Sequence, residues 1–156
     1  MKDEKIFFER VQRFKDDKTV NLPYRATRGS AGYDFEAVED ILIKPFKPVF
    51  HLPVLVKTGI KIKMPPNIAF LISNRSSGPK KGLVLANGLG LIDSDYYSNP
   101  DNDGEIMFAY YNFSINDILI KKGQAIGQGF FINLVLADDD TFKIKNRTGG
   151  FGSTSF

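Results

Sequence analysis

Three stretches of this 156-residue chain bring chemically capable side chains close together. Asp93, Asp95, Asp101, Asp103 and Glu105 place five carboxylates within thirteen residues. A carboxylate at the end of a strand can bind a hard cation or take a proton from water. The same composition suits a hydrophilic loop, and composition alone favours the loop. Asn74-Arg75-Ser76-Ser77-Gly78 clusters donors just after an apolar run, where a turn displays them to an anion, although Ser-Ser-Gly is also ordinary turn chemistry. Near the C-terminus, Arg147, Ser153 and Thr154 stand among Gly149, Gly150 and Gly152, offering a guanidinium, two hydroxyls and unobstructed N–H groups to phosphate oxygens. Phe151 in their midst can stack on a base; a solvated chain end has the same composition.

Composition limits the chemistry further. The absence of cysteine removes thiolate nucleophiles, disulfides and cysteine zinc sites, and a single histidine, His51, cannot build a multi-histidine metal site. Any divalent metal is then a hard ion held by oxygen. Lys and Arg total 21 against 18 Asp and Glu, a net charge of +3 without a long run of one sign, so no nucleic-acid partner is expected. The first residues lack a basic-then-apolar signal pattern, and the longest apolar stretch, 130–137, is interrupted by Asn133; a soluble, cytoplasmic protein without a membrane partner is expected.

These candidates need elements to hold them. From Val54 to Met64 apolar residues and Thr58 alternate with Leu55, Lys57, Gly59, Lys61 and Lys63, a period of two that predicts a strand with one parity on the core and the lysines in water. Similar runs predict strands at 6–14, 68–73, 83–85, 106–113, 126–136 and 142–145, with Asp34 opening another, and Pro65-Pro66, Ser77-Gly78-Pro79, Asn87-Gly88 and Lys122-Gly123 marking turns. No helical period persists over three turns. The expectation is one all-β domain, a sandwich or barrel, over residues 1–145, followed by a flexible glycine-rich arm over 146–156. Extended at about 3.3 Å per residue, such an arm reaches roughly 30 Å.

Taken in order, five segments resemble the motifs of the trimeric deoxyuridine triphosphate nucleotidohydrolases, the dUTPases: Ala31-Gly32-Tyr33-Asp34, Arg75-Ser76-Ser77, the run from Asn87 through Ile92 and Asp93 to Tyr96, the run from Gly123 to Gln128, and Gly149 to Thr154. The resemblance implies a jelly-roll fold and a homotrimer whose sites are shared, with the first, second and fourth motifs from one chain, the third from the next and the arm from the last. It implies hydrolysis of dUTP to dUMP and pyrophosphate by water attacking the α-phosphorus with Mg²⁺, a reaction that keeps uracil out of DNA and supplies dUMP for thymidylate synthesis.

By the same resemblance Asp93 is the base that orients and deprotonates the water. Asn87, with Ile92 beside it, lies at a uracil pocket where a hairpin's main chain imitates base pairing, and Tyr96 packs under deoxyribose and excludes a 2′-hydroxyl. Arg75, Ser76, Ser77 and Gln128 grip the phosphates. Asp34 acts on Mg²⁺ through water, Phe151 stacks over uracil, and Arg147, Ser153 and Thr154 clasp the terminal phosphate.

Departures from the family pattern fall outside the reacting groups. Seven residues, 97–103, separate Tyr96 from Gly104 where most members have one or two, making this acidic loop a candidate protein-partner surface. Gln124-Ala125 stands where a charged Asp-Arg pair is usual, and Arg147 lies one residue closer to Gly149 than usual. The rival reading, a dCTP deaminase on the same fold, relies on a glutamate base and fits Asp93 and Asn87 poorly.

Overall fold

The alternating run from Val54 to Met64 does not form one strand. In the computed structural model, which describes residues 5–49 and 51–142, the chain changes sheet at Gly59. Gly59 has φ +70°, and a Cβ there would lie 3.0 to 3.2 Å from Phe14, Val20 and Val38, so only glycine makes this corner. Parity survives the turn: Val56, Thr58, Ile60, Ile62 and Met64 are all buried, and the Thr58 hydroxyl donates to the Ile106 carbonyl at 2.7 Å.

The strands in chain order are β1 (Phe7–Arg10), β2 (Tyr33–Glu36), β3 (Ile41–Ile43), β4 (Val54–Lys57), β5 (Ile60–Lys63) and β6 (Ile68–Asn74). After one helical turn, α1 (Ser77–Lys80), follow β7 (Leu83–Leu85), β8 (Gly90–Ile92), β9 (Met107–Asn112), β10 (Ile118–Ile120) and β11 (Ala125–Asn133). The order β2-β11-β6-β8 makes a four-stranded sheet and β4-β9-β7 a three-stranded one, while β1 pairs with β5 and β3 with β10. All these ladders are antiparallel. The all-β expectation therefore holds. The predicted strand at 6–14 ends after Arg10 and gives way to a 3-10 turn, Gln12–Phe14. The strands β3, β8 and β10 span three residues each, too few to display a period in sequence. Of the strand expected at 142–145, Phe142 is exposed and outside any strand; the remainder, with the whole arm, lies outside the described residues.

Aromatic rings join the sheets. Phe35 on β2 meets Phe70 on β6 at 5.8 Å and Phe108 on β9 at 5.7 Å, and all three are fully buried or nearly so. The rings press so closely on β11 that its inward positions have no room for a side chain. A Cβ on Gly127 would lie 2.0 Å from Phe108, and one on Gly129 2.3 Å from Phe70. With its neighbours fixed inward, Gln128 is turned to the opposite face.

Lys61 departs from its predicted place in water: it is 8% exposed. The cover is the 97–103 loop, whose Asp103 carboxylate accepts from Nζ at 2.8 Å and whose Ser98 hydroxyl accepts at 3.1 Å, with Glu9 3.5 Å away. Burial pulls the Lys61 ammonium down, but Asp103 and Glu9 outweigh it and hold its pKa above the ordinary 10.5. Burial likewise pushes Asp103 up, yet hydrogen bonds from Lys61 and the Gln12 N–H leave it below the ordinary 3.8. A depressed carboxylate stabilises the fold above its ordinary pKa and loses that contribution as pH falls through the folded value; a raised lysine does so below 10.5 and loses it above the folded value.

Gly127→Ala is expected to overpack the core and cost about 3 kcal/mol, lowering the thermal midpoint; an unchanged midpoint would show that β11 can shift away from Phe108. Asp103→Asn should cost on the order of 1 kcal/mol at neutral pH, and the gap from wild type should shrink near pH ~3 in urea titrations. An equal gap at both pH values would contradict the ion pair's part in docking the loop.

Candidate functional site

Strand register brings the first, second and fourth motifs to one end of the four-stranded sheet. Gln128 on β11 stands opposite Asp34 on β2 and opposite Ser73 on β6. Arg75 follows the end of β6 and sets Nε 3.1 Å from Asp34 Oδ1, while the Gln128 side-chain amide donates to the Asn74 carbonyl at 3.2 Å. Asp34 is 7% exposed and its main chain is bonded to Tyr24 in both directions, so its carboxylate is held firmly beside the guanidinium.

Past Arg75 the chain turns through Ser76 and Ser77, both exposed, into α1. Neither the composition of this turn nor its spacing marks what anchors it. Asn74 does so, donating from Nδ2 to the Leu83 carbonyl at 2.8 Å, with its Oδ1 resting 3.3 Å from the Tyr110 hydroxyl oxygen. Tyr110 bonds the Ile126 carbonyl at 2.6 Å, and its burial pushes the phenol pKa well up. A cleft of about 140 Å³ opens beside the turn, lined by Arg75, Ser77, Lys81, Gln124 and Ile126 among others. Its two cations and the Ser77 hydroxyl make it suited to an anion. Lys81 is the member that sequence reasoning missed.

The third motif lies elsewhere in the chain. Ile92 on β8 aligns with Phe70 on β6, so Asp93 emerges near the level of Ala69, four residues along β6 from the level of Gln128. Taking roughly 3.3 Å per residue and 4.8 Å between neighbouring strands, Asp93 sits about 15 to 20 Å from Gln128 and Asp34. Within one chain these groups cannot reach one phosphorus together.

Asn87 occupies an exposed turn with Gly88 at φ +68°. The two flanking strands are not a paired hairpin: β7 belongs to the three-stranded sheet and β8 to the four-stranded one, each as an edge strand. Between them residues 86–89 are exposed, with the turn closed by the Gly88 N–H donating to the Leu85 carbonyl at 2.9 Å and tied to β9 by the Ala86 N–H donating to the Ala109 carbonyl at 2.8 Å. Ile92 is buried, and Tyr96, in the 3-10 turn Ser94–Tyr96 after Asp93, is only 4% exposed. Asp93 itself is exposed. Arg147, Phe151, Ser153 and Thr154 lie outside the described residues.

Among the described residues no group of three or more His, Asp or Glu is placed to hold a metal by itself. A hydrated Mg²⁺ arriving on phosphate oxygens needs fewer protein ligands than a caged ion, and Asp34 is the carboxylate that stands beside the Arg75 and Gln128 cluster. No helix among the described residues is long and apolar enough to cross a membrane.

The dUTPase family model matches residues 18–155. A deoxyuridine 5′-triphosphate nucleotidohydrolase of Lactococcus lactis is 43% identical over 149 residues, covering 94% of this chain and 95% of the relative. This chain belongs to the dUTPase family. Its fold agrees: the crystal structure of dUTPase from Streptococcus mutans matches with a TM-score of 0.76 at 36% identity, covering 84% of this chain and 98% of that one. A D95N dUTPase of the Staphylococcus aureus phage phi11, which coordinates a structural Mg(II) ion, shares the fold at a TM-score of 0.68 and 15% identity over 90% of this chain and 98% of its own.

One glycine of the first motif lies against the Gln128 side chain. A Cβ on Gly32 would lie 2.9 Å from Gln128 Oε1, the far end of a flexible side chain. Gly32→Ala is therefore expected to leave the thermal midpoint near wild type while moving the Gln128 side-chain amide resonances. Unmoved resonances would show that Gly32 does not set the position of Gln128.

Proposed function

We propose that the protein hydrolyses dUTP to dUMP and pyrophosphate, removing a precursor of uracil in DNA and supplying dUMP for thymidylate synthesis in the cytoplasm. The observation that carries this reading is the split between two half-sites, an anion-suited cluster of Arg75, Gln128 and Asp34 and a separate base-bearing segment from Asn87 to Tyr96. Membership of the family supports the substrate.

The reading assigns each half its work. Arg75, Ser76, Ser77 and Gln128 bind and orient the triphosphate, fixing the α-phosphorus for in-line attack. Asp34 would hold Mg²⁺ through water; when bound, the ion neutralises charge on the phosphate oxygens. Asp93 accepts a proton from the attacking water, a role that demands hydrogen-bond reach more than an unusual acidity. The main chain at 86–89, with Asn87 and Ile92, receives uracil, and Tyr96 closes the space that a 2′-hydroxyl would need.

A distance of about 15 to 20 Å between the halves supports a shared site, in which Asp93 of one subunit serves the phosphate cluster of the next. The jelly-roll homotrimer that the resemblance implies is the assembly we assign to it. The arm, 146–156, then closes the site, with Phe151 on uracil and Arg147, Ser153 and Thr154 on the terminal phosphate, excluding bulk water.

Pyrophosphate release should be strong with dUTP and weak with dTTP, dCTP and UTP. Asp93→Asn should lower turnover by roughly 10³-fold while leaving nucleotide affinity near wild type, because volume is kept and only the base is lost. Retained turnover in this variant would remove Asp93 from its assigned role, and release without preference for dUTP would overturn the reading of the pocket.

A further inference from the structure

We propose that Asn102, in the long 97–103 loop, is the positioning residue for Tyr96, and that this loop thereby forms part of the filter against ribonucleotides. The inference rests on the reading of Tyr96 given above and adds to it the group that holds Tyr96 in place.

Two hydrogen bonds hold the Tyr96 hydroxyl at the loop's return. The hydroxyl donates to the Glu105 carbonyl at 2.8 Å and accepts from Asn102 Nδ2 at 2.7 Å. Asn102 is itself held at its other end, where Oδ1 accepts from the Gly104 N–H at 3.0 Å. The Glu105 support is rigid too, since its buried carboxylate accepts from Arg13 at 2.6 Å and from the Gly59 N–H at 2.8 Å. A phenol bonded on both sides cannot slide without breaking one of these contacts.

The loop reaches this geometry at a conformational cost. Ser98 and Asp103 have φ of 55° and 59°, a region that costs a side-chain-bearing residue about 1 kcal/mol or more. Gly104 follows at φ +74°, where a Cβ would lie 2.5 Å from the Tyr96 carbonyl. Such a conformation persists only when its surroundings dictate it. Here β1, the 3-10 turn after it and β5 do so: Lys61 holds Ser98 and Asp103, the Gln12 N–H donates to Asp103 at 2.6 Å, and the Tyr97 hydroxyl donates to Glu9. The inner face of the loop is thus committed to the chain itself, and its product is a fixed amide aimed at Tyr96. With Tyr96 only 4% exposed, a small displacement of the ring changes the space left beside a sugar, and rejecting one added hydroxyl depends on that space.

Asn102→Asp keeps the oxygen that accepts from Gly104 and removes the donor to Tyr96. The ratio of kcat/KM for dUTP to that for UTP, measured on one sample so that active-enzyme concentration cancels, should fall by roughly fivefold, the scale of one lost hydrogen bond. In a Tyr96→Phe background the same substitution should have no further effect on the ratio, because the hydroxyl through which it acts is gone. A loop with only a structural role would lower both rates together and leave the ratio intact, and a ratio unchanged in folded Asn102→Asp enzyme overturns the inference alone. An equal effect in both backgrounds also overturns it. Wild-type enzyme without preference for dUTP over UTP overturns the reading of Tyr96, and the inference with it.

Discussion

The pressure of two aromatic rings on one strand governs the phosphate-facing half of the molecule. Phe108 and Phe70 approach β11 so closely that Gly127 and Gly129 are the residues it can carry inward, and Gln128 between them must face out. That single constraint aligns Gln128 with Asp34 on one side and with the end of β6 on the other. Arg75 then falls beside Asp34 because β6 ends one residue earlier and Asn74 ties the turn to β7. Hydrophobic packing fixes a polar cluster here without any polar residue having to specify it.

The same sheet keeps the halves of the site apart. Its register sends β8 along β6 away from Gln128, so Asp93 emerges about four residues, roughly 13 Å, down the strand. The edge strands β7 and β8 and the turn between them leave Val84, Leu89 and Leu91 exposed, apolar surface of the kind the proposed association between subunits would cover. The loop after Tyr96 works in the opposite sense, binding an otherwise mobile kind of segment onto β1 and β5 through Lys61, Asp103 and Tyr97.

Much of this was legible in the residues themselves. The period of two from Val54 to Met64 identified buried positions on both sides of Gly59, and the motifs identified the groups that cluster at Asp34, Arg75 and Gln128. The corner at Gly59 was not legible, because alternation continues through it and only three distant side chains make glycine obligatory there. Lys61 looked solvent-facing because its cover comes from a loop some forty residues away in sequence. Strands of three residues carry no period, and the anchoring by Asn74 and Tyr110 depends on contacts between elements that no local pattern encodes. Spacing likewise says nothing of the distance between Asp93 and Gln128, which only register supplies.

The most direct test of the account is complementation between two inactive proteins. Asp93→Asn and Arg75→Ala chains, each inert alone, should regain dUTP turnover when unfolded and refolded together, with roughly a quarter of the sites drawing an intact phosphate cluster from one chain and an intact Asp93 from another. Activity no higher than the sum of the separate proteins, in assemblies shown to be mixed, would contradict a site built between subunits.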